Sequence, residues 1–198
     1  MLGPVPIPTP LQVQLHNELY QEAVNILRPY LPLGDGLTPG QPVDPADVER
    51  GLRLVKRVLE MDPDNWSALW LQGMAFRVVD RLEEAYQSFH RAFQLKPDQV
   101  DVGRELVLQC CMNGRGAEAV QVSRQVVALR PDDGGLLSNH ALAQLLAGDV
   151  NGAQETAERA VAAAPENRAA RGVRQAIQDV LTGRIPRPYR WPWADATA

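Results

Sequence analysis

Four prolines, Pro63, Pro97, Pro131 and Pro165, stand each 34 residues after the last, and the residues around them repeat in step. Ala85, Ala119 and Ala153 keep the interval, as do Val58, Ala92, Val126 and Ala160, and Met61, Leu95, Leu129 and Ala163. An acid follows each proline: Asp64, Asp98, Asp132 and Glu166. A fixed period of this length marks a chain that stacks one supersecondary unit, each copy burying its apolar face on the next. Such a stack presents a surface rather than a reaction centre, so the repeat constrains architecture far more than it constrains a partner.

The unit reads as two helices. From Trp66 to Val79 apolar residues recur at helical spacing, with Leu69, Gly73 and Phe76 on one side and Met74 and Val78 beside them. A break at Asp80-Arg81 precedes a second run from Glu83 to Leu95, with Ala85, Phe89, Ala92 and Phe93 inward. Pro97 cannot continue that helix, and Pro97-Asp98 turns the chain into the next unit. The pattern Leu69-x-x-Gln72-Gly73-x-x-Phe76, then Ala85-x-x-x-Phe89, then Pro97 resembles the tetratricopeptide repeat. Leu69 stands where that family usually has Trp, and Gln72 where it usually has Leu. The resemblance implies an all-α fold: a right-handed α-α superhelix, or solenoid, of about four tetratricopeptide-like helix pairs plus a capping helix.

Two further units follow in register. Residues 100–133 carry Leu106, Cys110, Ala119 and Val126, and residues 134–167 carry Leu137, Ala141, Ala153 and Ala160. The inter-helix turns fall at Gly114 and Gly148-Asp149, while the aromatics erode: Phe76 gives way to Cys110 and Gln144, and Phe89 to Ser123 and Ala157. Upstream, Asp44-Pro45 is a helix start, an acidic N-cap followed by proline at the first helical position. The helix from Ala46 to Met61 reads as the second of an earlier pair, with Gly51 at the alanine position. Its partner runs from Leu11 to about Arg28, where Leu11, Leu15, Leu19, Ala23 and Leu27 recur every fourth residue. The predicted organisation is a Pro-rich segment at 1–10, a divergent first pair at 11–65 with a Gly/Pro-rich loop at 32–44, and repeats at 66–99, 100–133 and 134–167. A capping helix at 168–182 and an Arg/Pro/Trp tail at 183–198 complete it.

Little in the sequence points to chemistry. His16, His90 and His140 fall on different predicted helices without carboxylate or cysteine at ligand spacing, so no metal site and no cofactor is expected. In the repeat register His90 points outward and His140 sits half-buried at a helix contact. Cys110 and Cys111 are the only cysteines, which excludes a disulfide framework and suits a reducing cytoplasm. As vicinal thiols they could sense redox state, which requires a lowered thiol pKa; on packed faces they serve as small hydrophobes. No phosphate-binding glycine loop or nucleophile motif occurs, so the chain reads as a non-enzyme. No apolar run reaches the roughly 18 residues that cross a membrane, and the N-terminal residues lack the pattern of a secretory signal.

The resemblance places the first helix of each unit along a concave groove and so assigns its lining. Trp70, Met74 and Arg77 come from the first well-matched unit, Arg104, Leu108 and Cys111 from the second, and Ser138, Leu142 and Leu145 from the third. This stripe suits an apolar side chain of a partner peptide or helix, with arginine for a carboxylate. Family members that grip the acidic tail of a heat-shock chaperone use a Lys/Asn clamp. The corresponding places here hold Trp70, Met74, Ser138 and Leu142, so that activity is not implied. The stripe could instead be covered by the chain's own termini or by a second copy, that is, by self-association.

The tails are the least regular parts. Met1 to Pro10 holds four prolines and no charged side chain, as an extended strand would. From Arg168 to Trp193 six arginines face one acid, Asp179, although the whole chain carries a net charge of −4. If Ile185 to Trp193 is polyproline II, its threefold repeat aligns Arg184, Arg187 and Arg190 along one edge and leaves Tyr189, Trp191 and Trp193 elsewhere. These six form a candidate C-terminal contact, expected to pack on the capping helix or the last repeat. Arginine beside aromatics also suits single-stranded nucleic acid, the alternative function, but a pI near 5.4 argues for a protein partner.

Overall fold

The computed structural model describes residues 9–31 and 42–191. Among them, every regular element is helical: α1 (Pro10–Leu27) with a 3-10 turn (Arg28–Tyr30), α2 (Pro45–Met61), α3 (Trp66–Val78), α4 (Leu82–Leu95), α5 (Val100–Met112), α6 (Gly116–Leu129), α7 (Gly134–Ala147), α8 (Val150–Ala163) and α9 (Arg168–Leu181). The chain divides into two compact units between Arg81 and Leu82, that is, between the two helices of the repeat at 66–99.

Local chemistry fixes the helix starts. Asn65, Gln99, Asp133 and Asn167 occupy the N-cap of α3, α5, α7 and α9, one 34-residue step apart. Three of them cap with a side-chain oxygen: Asn65 Oδ1 accepts from Ala68 N–H at 3.0 Å, Asp133 Oδ1 from Leu136 N–H at 3.0 Å, and Asn167 Oδ1 from Ala170 N–H at 3.1 Å. Gln99 makes no such bond. The acids that follow the prolines are therefore neighbours of the caps, not the caps themselves. Asp44 caps α2 through Ala46 N–H at 2.8 Å, as its sequence suggests. Thr9 and Gln12 form a reciprocal capping box on α1.

In the first unit α1 packs on α2 and α2 on α3. Leu19, Ala23 and Leu27 of α1 are buried, but Leu11 and Leu15 remain 74% and 40% exposed, so the inward face of α1 begins a turn later than its leucine spacing suggests. Gly51 has a steric reason: a Cβ there would lie 2.5 Å from Leu27 Cγ, so this pair is closer than an alanine contact allows. Tyr30 donates to Asp47 Oδ2 at 2.7 Å and ties the 3-10 turn to α2. Arg81 reaches Glu49 at 2.9 Å and stacks over Phe76 at 4.3 Å.

In the second unit each helix from α4 to α9 packs on the next, and α5 touches α7 as α7 touches α9. The helices that open repeats thus form an inner row, and those that close them an outer one. Ala119 and Ala153, at the predicted close contacts, have no exposed surface. One core centres on Ala141, Leu145, Ala153, Ala157 and Ile177, another on Leu137, Ala160 and Ala170. Both include a residue of α9, which seals the stack. The turns after α3, α5 and α7 each use one left-handed residue, Asp80 (φ 59°), Gly114 (φ 71°) and Gly148 (φ 97°), again at the 34-residue interval.

Candidate functional site

The candidate groove residues fall into three rows, each repeating every 34 residues along α3, α5 and α7. In the first row Trp70 and Arg104 are half-buried and Ser138 is buried. In the second, Leu108 is half-buried, while Met74 and Leu142 are 1% and 3% exposed. The third row, Arg77, Cys111 and Leu145, is interior throughout. Leu145 belongs to the core beneath Ile177 of α9, because the closing helix takes the place that another repeat's first helix would fill. Of the nine, Trp70, Arg104 and Leu108 keep partial exposure, and Ser138, Met74 and Leu142 are as buried as the third row.

Electrostatics narrow this further. Arg104 is held by acids of its own helix, Asp101 at 3.2 Å and Glu105 at 3.4 Å, so its guanidinium is already matched with carboxylate. Two first-row polar atoms are buried without a hydrogen bond: Trp70 Nε1 in the first unit and Ser138 Oγ in the second. A buried orphan donor or hydroxyl costs on the order of 1–3 kcal/mol, which a partner's acceptor could recover. Nothing in the sequence distinguishes these two from ordinary lining residues, because orphaning depends on what the neighbouring helices bring.

The cysteines do not have the surroundings of reactive thiols. Both are fully buried. Burial pushes the Cys111 thiol up to about 12, and burial with the nearby Glu118 and Cys111 raises Cys110 as well. A redox sensor needs the opposite shift. His140 is half-buried on α7, its Nδ1 2.7 Å from Ser123 Oγ of α6. Burial first, then Arg124 and Arg159, lowers its pKa against the weaker pull of Asp149. His90 stacks on Tyr86 at 5.5 Å, and His16 meets Asn65 at 3.1 Å on α3's N-cap. No group of three or more potential metal ligands occurs among the described residues.

The tail runs along the capping helix and the last repeat and then beyond them. After α9, Gly183 (φ 72°) turns the chain, and Arg184 pairs with Asp179 at 2.7 Å. Arg187 donates to the Leu146 carbonyl at the end of α7 at 2.9 Å, and Trp191 N–H donates to the Cys111 carbonyl near the end of α5 at 2.9 Å. The segment thus reaches back to the second repeat's turn rather than stopping on the capping helix. Arg190 lies over the ring of its neighbour Tyr189 at 5.6 Å. Tyr189 is 64% exposed, so the aromatic burial expected of it does not occur; the polar bonds at the helix ends set the path instead. Trp193 lies outside the described residues.

No family model and no curated protein matches the sequence. Solved structures do. The chain superposes on a tetratricopeptide repeat protein from Parabacteroides merdae with a TM-score of 0.67 at 16% identity, over 86% of this chain and 61% of that one. This is a tetratricopeptide-repeat fold. A second tetratricopeptide neighbour is MamA (residue 41 to its end) from Desulfovibrio magneticus RS-1, with a TM-score of 0.61 at 15% identity over 87% of this chain and 92% of that one. The first tetratricopeptide domain of Spaghetti (RPAP3), bound to the HSP90 peptide SRMEEVD, matches with a TM-score of 0.54 at 17% identity over 61% and 96%. In tetratricopeptide terms α1–α2 is a helix pair of the first unit, α5–α6 and α7–α8 are helix pairs of the second, and α9 closes the second unit. No helix among the described residues is long and apolar enough to cross a membrane.

Proposed function

We propose that the chain is a non-enzymatic interaction scaffold that holds a peptide or helix of a partner protein on the inner faces of its repeats. The observation that carries this reading lies in the second unit. Arg104 and Leu108, one turn apart on α5, stay half-exposed, and their register counterparts on the adjacent α7 are Ser138, with its unpartnered hydroxyl, and Leu142. The half-exposed Leu108 suits an apolar side chain of an amphipathic partner segment. Trp70 would serve as an anchor in the first unit. One structural neighbour was solved with a bound peptide, SRMEEVD of HSP90. Here Trp70, Met74, Ser138 and Leu142 replace the basic clamp such acidic peptides need, so a more apolar ligand fits better.

The nucleic-acid alternative depended on the Arg/Trp tail. Arg184 and Arg187 are committed to Asp179 and to the Leu146 carbonyl, so no observation favours it. The test is peptide selection by the full chain from a display library, followed by affinity measurement on wild type, Leu108→Glu and Trp70→Ala. Selected peptides should lose at least tenfold with one of the two substitutions, a typical penalty for an anchor or its pocket. Undiminished binding to both variants would reject the inner face as the site.

A further inference from the structure

The ends of α5 and α7 form a row of acceptors that the tail already occupies. At an α-helix C-terminus the last carbonyls lack intrahelical donors and carry partial negative charge. Arg187 supplies its guanidinium to Leu146, and four residues later Trp191 supplies its main-chain N–H to Cys111. Four residues at no more than about 3.1 Å each reach up to about 12 Å, enough to bridge neighbouring packed helices about 8–10 Å apart. The tail lies against both turn glycines, whose positions would bring a Cβ into ordinary contact with it: 3.7 Å from Arg187 Cζ at Gly148 and 3.6 Å from Tyr189 Cδ2 at Gly114. These glycines are one repeat apart, so the tail passes two successive helix-end turns.

We propose that this rim is a peptide-binding site distinct from the inner face, and that residues 184–191 are its displaceable resident ligand. The partner that fits is an extended, proline-containing segment with an arginine placed as Arg187 is. A phosphate backbone does not fit, since the rim offers carbonyl acceptors and would meet it with like charge. The resident contact is thin: Tyr189 is mostly exposed, Pro186 and Pro188 have no N–H to donate, and Gly183 provides a hinge. Held in cis, the tail competes with any partner and lowers its apparent affinity by the fraction of time the rim is free.

The experiment uses the full chain, wild type and Arg187→Ala, with a capped fluorescent peptide of residues 184–191 as probe. Arg187 is a surface residue, and a thermal melt verifies that the variant is folded. Tryptic cleavage after Arg190 should be slow in wild type and at least tenfold faster in the variant. The probe should bind the variant chain at least tenfold tighter than wild type, and a probe carrying Arg187→Ala should lose at least tenfold on either. Arg184→Ala, which frees the tail from Asp179, should shift cleavage and probe binding in the same direction. Unchanged cleavage, absent probe binding, or equal probe binding to wild type and Arg187→Ala each overturns the proposal.

Discussion

His140 illustrates how one buried residue can couple this fold to pH. With Ser123 donating its hydroxyl proton to the Val120 carbonyl at 3.1 Å, Ser123 Oγ is left to accept from the imidazole's Nδ1 at 2.7 Å. Its pKa in the folded chain is lowered, chiefly by burial. The unfolded chain therefore takes up the proton first: stability is intact above the ordinary value near 6.5 and is lost as pH falls from there through the lowered folded value. His140→Gln, which keeps a hydrogen-bonding group beside Ser123, should flatten that part of the melting-temperature profile between pH 7 and 5. An unaltered slope would show that other groups carry the acid response. Asp80 makes a second point at this scale. It is the one non-glycine residue with positive φ among the described residues, at the place where the next two repeats have Gly114 and Gly148. Asp80→Gly should raise stability by about 0.5–1 kcal/mol, seen as a higher melting temperature, because the left-handed conformation costs an L-residue about that much or more. The 34-residue comparison exposes this mismatch in the sequence itself, as it exposes the exchange of alanine for Gly51. The orphan atoms of Trp70 and Ser138 leave no such trace, since they follow from three-dimensional neighbours.

At the level of the helix, periodicity predicts which face turns inward, and the register can be tested directly. Ala119 is fully buried on α6 and Ala117 is exposed two residues away. Ala119→Leu should cost on the order of 1–3 kcal/mol through overpacking, while Ala117→Leu should be nearly neutral. Similar melting of the two variants would refute the register of that repeat. Caps offer the converse experiment. Gln99 is the member of the N-cap series without a side-chain bond, so Gln99→Asp should stabilise by about 0.5–1 kcal/mol in a denaturant titration. The closing helix was legible too, for a reason visible in register. The positions that carry Leu69, Gly73 and Phe76 in α3 hold Arg171, Gln175 and Gln178 in α9, and all three are exposed. Such a helix offers its own repeat nothing to bury, so it can end a stack but not extend one. What the helix-level reading missed were the ends of elements. Leu11 and Leu15 continue the apolar spacing of α1 beyond its buried face, because periodicity records the pattern of a face and not where the neighbouring helix stops covering it.

Across the whole molecule the balance between body and tail is what the sequence left undetermined. Repetition makes the body predictable: each repeat meets the same neighbours, so one well-read unit places the rest. The tail has no periodic counterpart. Its arginines and aromatics constrain its chemistry, and its route depends on carbonyls and glycine turns presented by α5 and α7, which no local pattern announces. The route has a thermodynamic consequence. Deleting residues 184–198 removes the described tail bonds to Asp179, Leu146 and Cys111. Hydrogen bonds of this kind contribute roughly 0.5–1.5 kcal/mol each, less for an exposed ion pair. The truncated chain should therefore keep its helical circular dichroism and melt about 2–12 °C lower, at the 2–4 °C per kcal/mol usual for a protein of this size. A drop far beyond that range, with strong dye binding, would mean that the tail belongs to the core and cannot serve as a ligand that comes and goes.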